Sequence, residues 1–115
     1  MEVTPKVLKI FRTANGKQPF VEWITALRDE RAAARIKTRL ARVRLGNLGN
    51  TRSVGDGVHE LKIDYDPGYR VYFGQVGNEL VILLCGGDKG SQDEDIKTAK
   101  VYWTSYKKEK SHADY

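Results

Sequence analysis

Residues 58–90, VHELKIDYDPGYRVYFGQVGNELVILLCGGDKG, read as three antiparallel strands joined by two tight turns. Asp66-Pro67-Gly68 supplies the first turn, because proline presets its own φ and glycine tolerates positive φ. Gly77-Asn78 supplies the second, as a pair of the type that favours tight hairpins. These turns set an expected register. With Tyr65 facing Tyr69, Ile63 faces Val71 and Leu61 faces Phe73. With Val76 facing Glu79, Phe73 faces Ile82 and Val71 faces Leu84. All these apolar residues then share one side of the sheet, as a period of two requires. Glu60, Lys62, Asp64, Arg70 and Tyr72 gather on the other side. Residues 80–85 are apolar on both sides, so this strand is expected at the centre of the sheet. Gly86-Gly87-Asp88-Lys89-Gly90 follow as a flexible, charged exit loop, whose two glycines allow the backbone to approach a ligand.

The flanks supply what covers this sheet. Residues 3–13 fit a further strand, and Asn15-Gly16-Lys17 a turn. Pro19 suits the first turn of a helix running to about Arg28, with Phe20, Ile24 and Leu27 at helical spacing. Asp29 caps a second helix over 31–45. That helix has an apolar stripe of Ala33, Ile36, Leu40 and Val43, and a basic stripe of Arg31, Arg35, Arg39 and Arg42. The two helices form a hairpin able to cover the apolar side. Residues 51–57, TRSVGDG, read as a lead-in to the strands. Ser91 and Glu94 form a capping box at the start of a last helix, where Asp93, Glu94 and Asp95 favour the positive end of the dipole. Its Ile96, Ala99 and Trp103 are spaced to dock on the core, and the polar tail over 107–115 is expected to fray.

The 115 residues are expected to form one domain, 1–115, with a single core. A net charge of +5 and a pI near 9.4 favour acidic partners, nucleic acid among them. A single cysteine, Cys85, excludes an intrachain disulfide and fits a reducing compartment. With no apolar signal-peptide core and no membrane-length apolar run, a cytoplasmic protein without a membrane partner is expected.

The ordered set ELKID, GYRVYF and LLCGGDK with the following QDEDIK resembles the addiction-module killer proteins. These are HigB-like members of the RelE/ParE superfamily of bacterial toxins. The likeness extends to the early TANGKQPFVEWI and to ARIKTRLARVRLGNLGN, and so covers nearly the whole chain. It implies an α+β fold of order β-α-α-β-β-β-α, with a mainly antiparallel twisted sheet packed against helices. It implies the toxin of a type II toxin–antitoxin system, held inactive by a cognate antitoxin that is often a helix-turn-helix protein. Many relatives cleave mRNA on the ribosome; ParE-type relatives poison DNA gyrase, and the fold does not choose between them. A third possibility is a non-catalytic module that only binds an antitoxin.

Cleaving RNA within a strand needs a base for the 2′-hydroxyl, cations for the phosphate and a proton for the leaving oxygen. No cofactor is called for, and no His/Cys cluster has metal-ligand spacing. Arg70 is the first candidate. The resemblance implies a functional arginine in GYRVYF, and a planar fork suits phosphate. Its structural alternative is a cross-strand salt bridge to Asp64. Lys62, expected opposite Tyr72, holds phosphate, serves as a base, or is a solvated strand lysine. Glu60 is a proton acceptor or simply a partner for Lys62. The resemblance matches Lys89 to a basic cluster between the last strand and helix. Tyr72 stacks on a base, donates a proton, or covers the sheet. Gln92 and Asp88 are secondary candidates, and Arg35, Arg39 and Arg42 offer a grip on an RNA backbone. The amides opening the last helix are a possible phosphate site. The best-studied relatives often use a histidine or a tyrosine near the C-terminal helix, and Tyr102 and Trp103 are the nearest aromatics here. His59 is expected under the sheet, His112 in the tail without a role, and Cys85 buried.

Overall fold

The chain order is β1 (Val7–Ile10), α1 (Pro19–Ala26), α2 (Glu30–Arg44), β2 (Thr51–Gly55), β3 (Val58–Ile63), β4 (Tyr69–Val76), β5 (Leu80–Asp88) and α3 (Gln92–Ala113). A single 3₁₀ turn, Lys89–Ser91, joins β5 to α3. The computed structural model describes residues 4–113, with side chains through residue 109. His112 therefore lies outside the described side chains. The fold is α+β, with a five-stranded mixed sheet of order β1-β5-β4-β3-β2. β1 runs parallel to β5, and the other three pairings are antiparallel.

One strand more is present than the sequence suggested. β2 is made from the supposed lead-in, and it pairs antiparallel with β3. Asp56-Gly57 reverses the chain between them with φ of 56° and 84°, the positive pair that a tight primed turn requires. β1 is correspondingly shorter than expected, and α1 ends at Ala26. Asp29 caps α2 as its position implied, accepting from the backbone N–H of Arg31 and Ala32. The last helix starts differently: Asp88, not Ser91, makes the capping box, reciprocated by Ser91, and α3 then continues through the expected fray to Ala113.

Both hairpin registers depart from expectation, with different consequences. The β3–β4 loop spans 64–68, so Ile63 pairs with Tyr69, Leu61 with Val71 and Lys62 with Arg70. This is a slip of two, which leaves every side chain on its expected face. The β4–β5 loop spans 77–79, so Val76 pairs with Leu80 and Phe73 with Leu83. This is a slip of one, and it exchanges the faces of residues 80–84; a bulge between Tyr72 and Phe73 makes the slip two beyond it, so residues 85–88 keep their expected faces. Val81 and Leu83 lie with Phe73 and Val71, whereas Ile82 and Leu84 lie on the far side with Tyr72. β5 is buried on both sides as its composition implied, but it is an interior strand between β1 and β4, and β4 holds the centre.

The sheet therefore carries two cores. α1 and α2 cover one face, burying Phe20, Ala32, Ile36 and Val43 on Leu61, Ile63, Val71 and Phe73. His59 is on this side, stacked on Phe73 at 5.4 Å. α3 covers the other face with Ala99 and Trp103, on Val58, Tyr72, Ile82 and Leu84. Tyr72 is fully buried there, so it covers the sheet. Gly86 and Gly87 are strand residues, not a flexible exit. A Cβ on Gly86 would lie 2.2 Å from the Trp23 ring, and one on Gly87 would collide with Asp95. These glycines admit neighbouring side chains rather than a ligand. Gly86→Ala should accordingly cost about 1–3 kcal/mol through overpacking, read as a lower urea midpoint with an unchanged slope. Among the described residues, no helix is long and apolar enough to cross a membrane.

Candidate functional site

The β3–β4 ladder fixes the site. Two adjacent cross-strand pairs, Lys62 with Arg70 and Glu60 with Tyr72, point to the α3 side of the sheet. α3 covers the middle of that face but begins only at Gln92, beside this polar end. β2 adds Arg52 directly opposite Glu60. The backbone N–H of Lys89 donates to the Gly68 carbonyl at 2.9 Å, which ties the end of β5 to the β3–β4 loop.

Glu60 is the hub. It is 3% exposed. Its Oε1 accepts from Arg52 Nε at 2.9 Å, and its Oε2 accepts from Gln92 Nε2 at 2.8 Å and from the Tyr72 hydroxyl at 3.1 Å. Arg70 Nε stands 3.8 Å from the same oxygen. Burial alone would raise the Glu60 carboxyl. The hydrogen bonds from Arg52 and Gln92, the Arg52 charge and the Tyr72 hydroxyl together outweigh it and hold the carboxyl below its usual range. Such a group is a poor proton acceptor. Burial, and then the Glu60 charge, push the Tyr72 hydroxyl far above its ordinary value, so neither member of this pair is poised to take a proton.

This arrangement has a measurable acid signature. A carboxyl whose folded-state pKa lies below its reference value of 4.5 adds stability above that value, and loses it as pH falls through the folded-state pKa. The stability advantage of the wild type over Glu60→Gln should be full at neutral pH and shrink below about pH 5. Urea midpoints of the two proteins across pH would read it.

Arg70 makes no contact with Asp64 of the kind expected from sequence. With the register slipped by two, its cross-strand neighbour is Lys62. Its side chain is 8% exposed, Nη1 donates to the Gly68 carbonyl at 3.4 Å, and Nε has no hydrogen-bond partner. Two clefts meet at Arg70 and Lys62. One, of about 340 Å³, is lined by Asn50, Arg52, Glu60, Lys62, Arg70 and Gln92. The other, of about 360 Å³, runs along the β3–β4 loop from Lys62 to Lys89. Arg70, Lys62 and Lys89, assembled from three separate stretches, thus converge on one concavity, with Gln92 and Glu60 at its other end.

A groove beside α2 joins them. It is lined by Arg35, Arg39 and Arg42 and reaches Lys62 and Asn50. The three arginines are not equivalent. Arg39 donates from Nη2 to the Leu48 carbonyl at 2.9 Å, fastening the loop after α2, and burial followed by the Arg42 charge lowers its pKa. Arg35 lies over the Tyr65 ring at 4.9 Å. Arg35 and Arg42 are exposed.

Other expectations are redirected. The amides before α3 are taken: Asp88 Oδ1 accepts from Gly90 and Ser91 N–H, so they form no open anion site and Asp88 is a cap. Tyr102 stacks on Phe11 at 5.0 Å, and Trp103 is core, so neither reaches the cleft. Cys85 is buried, its thiol pushed up to about 12 by burial and then by Asp95. Among the described residues no group of His, Cys, Asp and Glu has the makings of a metal site. Asn50 and Arg52 were missed. Asp56-Gly57 was the available signal, since a hairpin turn there makes 51–55 a strand and sets Arg52 across from Glu60.

No known family profile matches the chain. A protein of Haemophilus influenzae, described only as an uncharacterized protein, is 51% identical over 82 residues, which cover 71% of this chain and 83% of that protein.

Proposed function

Because this chain belongs to the same family as that Haemophilus influenzae protein, whose description assigns no activity, we propose a function from its own side chains. It is the toxin of a type II toxin–antitoxin system, with a RelE/ParE-type fold, and a metal-independent mRNA endoribonuclease acting at the ribosome in the cytoplasm. The observation that carries this reading is the buried guanidinium of Arg70, set 3.8 Å from Glu60, on the wall shared by the clefts of Lys62 and Lys89. A phosphate beside three cations matches the charge that builds when an RNA strand is cut.

In the reaction, the ribose 2′-hydroxyl gives its proton to solvent and its oxygen bonds to phosphorus, the bond to the 5′-oxygen breaks and that oxygen takes a proton from solvent, and a 2′,3′-cyclic phosphate and a 5′-hydroxyl remain. The nucleophile is internal, so no activated water is required. Arg70 takes nonbridging oxygens through its fork, Lys62 and Lys89 neutralise the remaining charge, and Glu60 holds Arg70, Gln92 and Arg52 in position. Exposed Arg35 and Arg42 grip the backbone of the same or of ribosomal RNA, while Arg39 is committed to Leu48. A cognate antitoxin, of helix-turn-helix type, restrains the activity.

The experiment is in vitro translation of a defined mRNA with the purified protein, with breaks mapped by primer extension. Protein-dependent breaks in the translated region support the reading. Intact transcripts, with DNA gyrase arrested in a supercoiling assay, would replace it with gyrase poisoning. Intact transcripts and active gyrase alongside antitoxin binding would leave only a binding module.

A further inference from the structure

We propose that Arg39 is a positioning residue, a clamp that sets Lys62 in the cleft through the loop between α2 and β2. This role rests on the ribonuclease reading for what Lys62 then does. Lys62 lines the groove beside α2 and both clefts, so its place decides how far they act as one site. On one side it pairs with Arg70. On the other its backbone N–H donates to the Asn50 carbonyl at 3.0 Å, just beyond the Thr51–Leu61 pair that begins the β2–β3 ladder. The strand position of Lys62 is thus tied to residue 50, and residue 50 belongs to a loop.

Arg39 shapes that loop. Its Nη2 donates to the Leu48 carbonyl at 2.9 Å. The next residue, Gly49, has φ of 62°, and a Cβ there would stand 2.9 Å from Arg39 Cζ and closer still to Nη2. The guanidinium therefore lies against a bare Cα, where only glycine leaves it room. The Thr51 N–H donates to the Gly49 carbonyl at 3.0 Å and carries the turn into β2. A run of contacts thus leads from Arg39 through Leu48, Gly49 and Asn50 to the backbone of Lys62. Arg35 and Arg42, on the same stripe, are exposed, whereas Arg39 is half-buried. The stripe divides into two arginines free to meet a ligand and one spent on the loop. A cation stabilises a phosphate in reaction only where the charge builds, and a displacement of about 1 Å can cost about 100-fold in rate. Lys62 occupies the last rung of its ladder, so without the clamp its backbone is free to drift.

Three variants separate a clamp from a phosphate contact. Arg39→Met removes the guanidinium. Gly49→Ala keeps every charge but displaces it. Gly77→Ala is the control: its φ is 60° with open space around the Cβ, so the backbone strain is matched and the clamp untouched. Cleavage of a labelled mRNA on programmed ribosomes gives kcat and KM. Binding of a labelled oligouridylate across salt gives the slope, and hydrogen exchange by NMR gives the protection of the Lys62 amide. Arg39→Met and Gly49→Ala should each lower kcat by about 10- to 100-fold with KM within about 3-fold of the wild type. Each should speed Lys62 exchange by about 10-fold and leave the salt slope unchanged, while Gly77→Ala matches the wild type throughout. A higher KM and a slope lowered by about 0.7 in Arg39→Met, beside a normal Gly49→Ala, would make Arg39 a phosphate contact and overturn the clamp. Equal losses in Gly77→Ala would reduce the effect to backbone strain and overturn it as well. So would unchanged Lys62 exchange in both clamp variants, whatever cleavage does. Faster exchange in those variants of a protein that cuts no RNA keeps the clamp and removes the ribonuclease reading.

Discussion

Arg70→Ala is expected to lower mRNA cleavage by about 100- to 1,000-fold, the range seen when one fixed donor to a developing anion is removed. The effect is large because the guanidinium is held before substrate arrives. Its side chain is 8% exposed, with Glu60 3.8 Å from Nε and the Gly68 carbonyl on Nη1. Arg70→Ala also leaves the Glu60 charge with one neighbour fewer, so the fold must be checked independently. Circular dichroism and the urea midpoint serve for that. Arg70→Lys is the more informative variant. It keeps a positive charge in the cleft but loses the planar fork, and should recover only a small part of the lost rate. Full activity in Arg70→Lys would reduce the residue to a point charge, and full activity in Arg70→Ala would remove it from the reaction.

The largest stability effect is expected at Trp103. Trp103→Ala should cost about 3–5 kcal/mol, the usual range for deleting a buried large aromatic. Trp103 is 5% exposed and stacks on Tyr106 with ring centroids 5.3 Å apart. A Cβ on Gly74 would lie 2.3 Å from its ring, and one on Gly57 would lie 2.7 Å from its indole nitrogen, so the sheet surface is shaped to it. Without this side chain α3 loses its main hold on β4 and on the β2–β3 turn. A urea titration would read the loss. A change below about 1 kcal/mol would mean that α3 is anchored elsewhere, through Ala99 and Tyr102.

Much of this is legible in the residues themselves, for identifiable reasons. Asp29 is an unambiguous cap, and Phe20, Ile24 and Leu27, then Ile36, Leu40 and Val43, repeat at helical spacing, so the helical pair and its inward face follow from sequence. Residues 80–85 have no polar face and form an interior strand, buried on both sides. The convergence of Arg70, Lys62 and Lys89 was also accessible, because a slip of two in β3–β4 preserves faces. The β4–β5 slip was not accessible. Gly77-Asn78 reads as a two-residue turn, yet the loop includes Glu79, and a one-residue error exchanges Ile82 and Leu84 for Val81 and Leu83. Nor does the pattern reveal that Glu60 and Tyr72 are buried. Their alternation marks a polar face, and only α3 lying across that face turns it into a second core. The glycine pair at 86–87 misleads because glycine signals close approach without saying of what; here it is Trp23 and Asp95.

The parallel ladder between β1 and β5 joins residues 7–10 to residues 80–83. While the polypeptide is being made, Val7–Ile10 has nothing to pair with until Leu80–Asp88 has left the ribosome exit tunnel. Lys89 and Gln92 emerge later still. A product terminated before residue 80 therefore lacks both the strand that pairs with β1 and part of the cationic cleft.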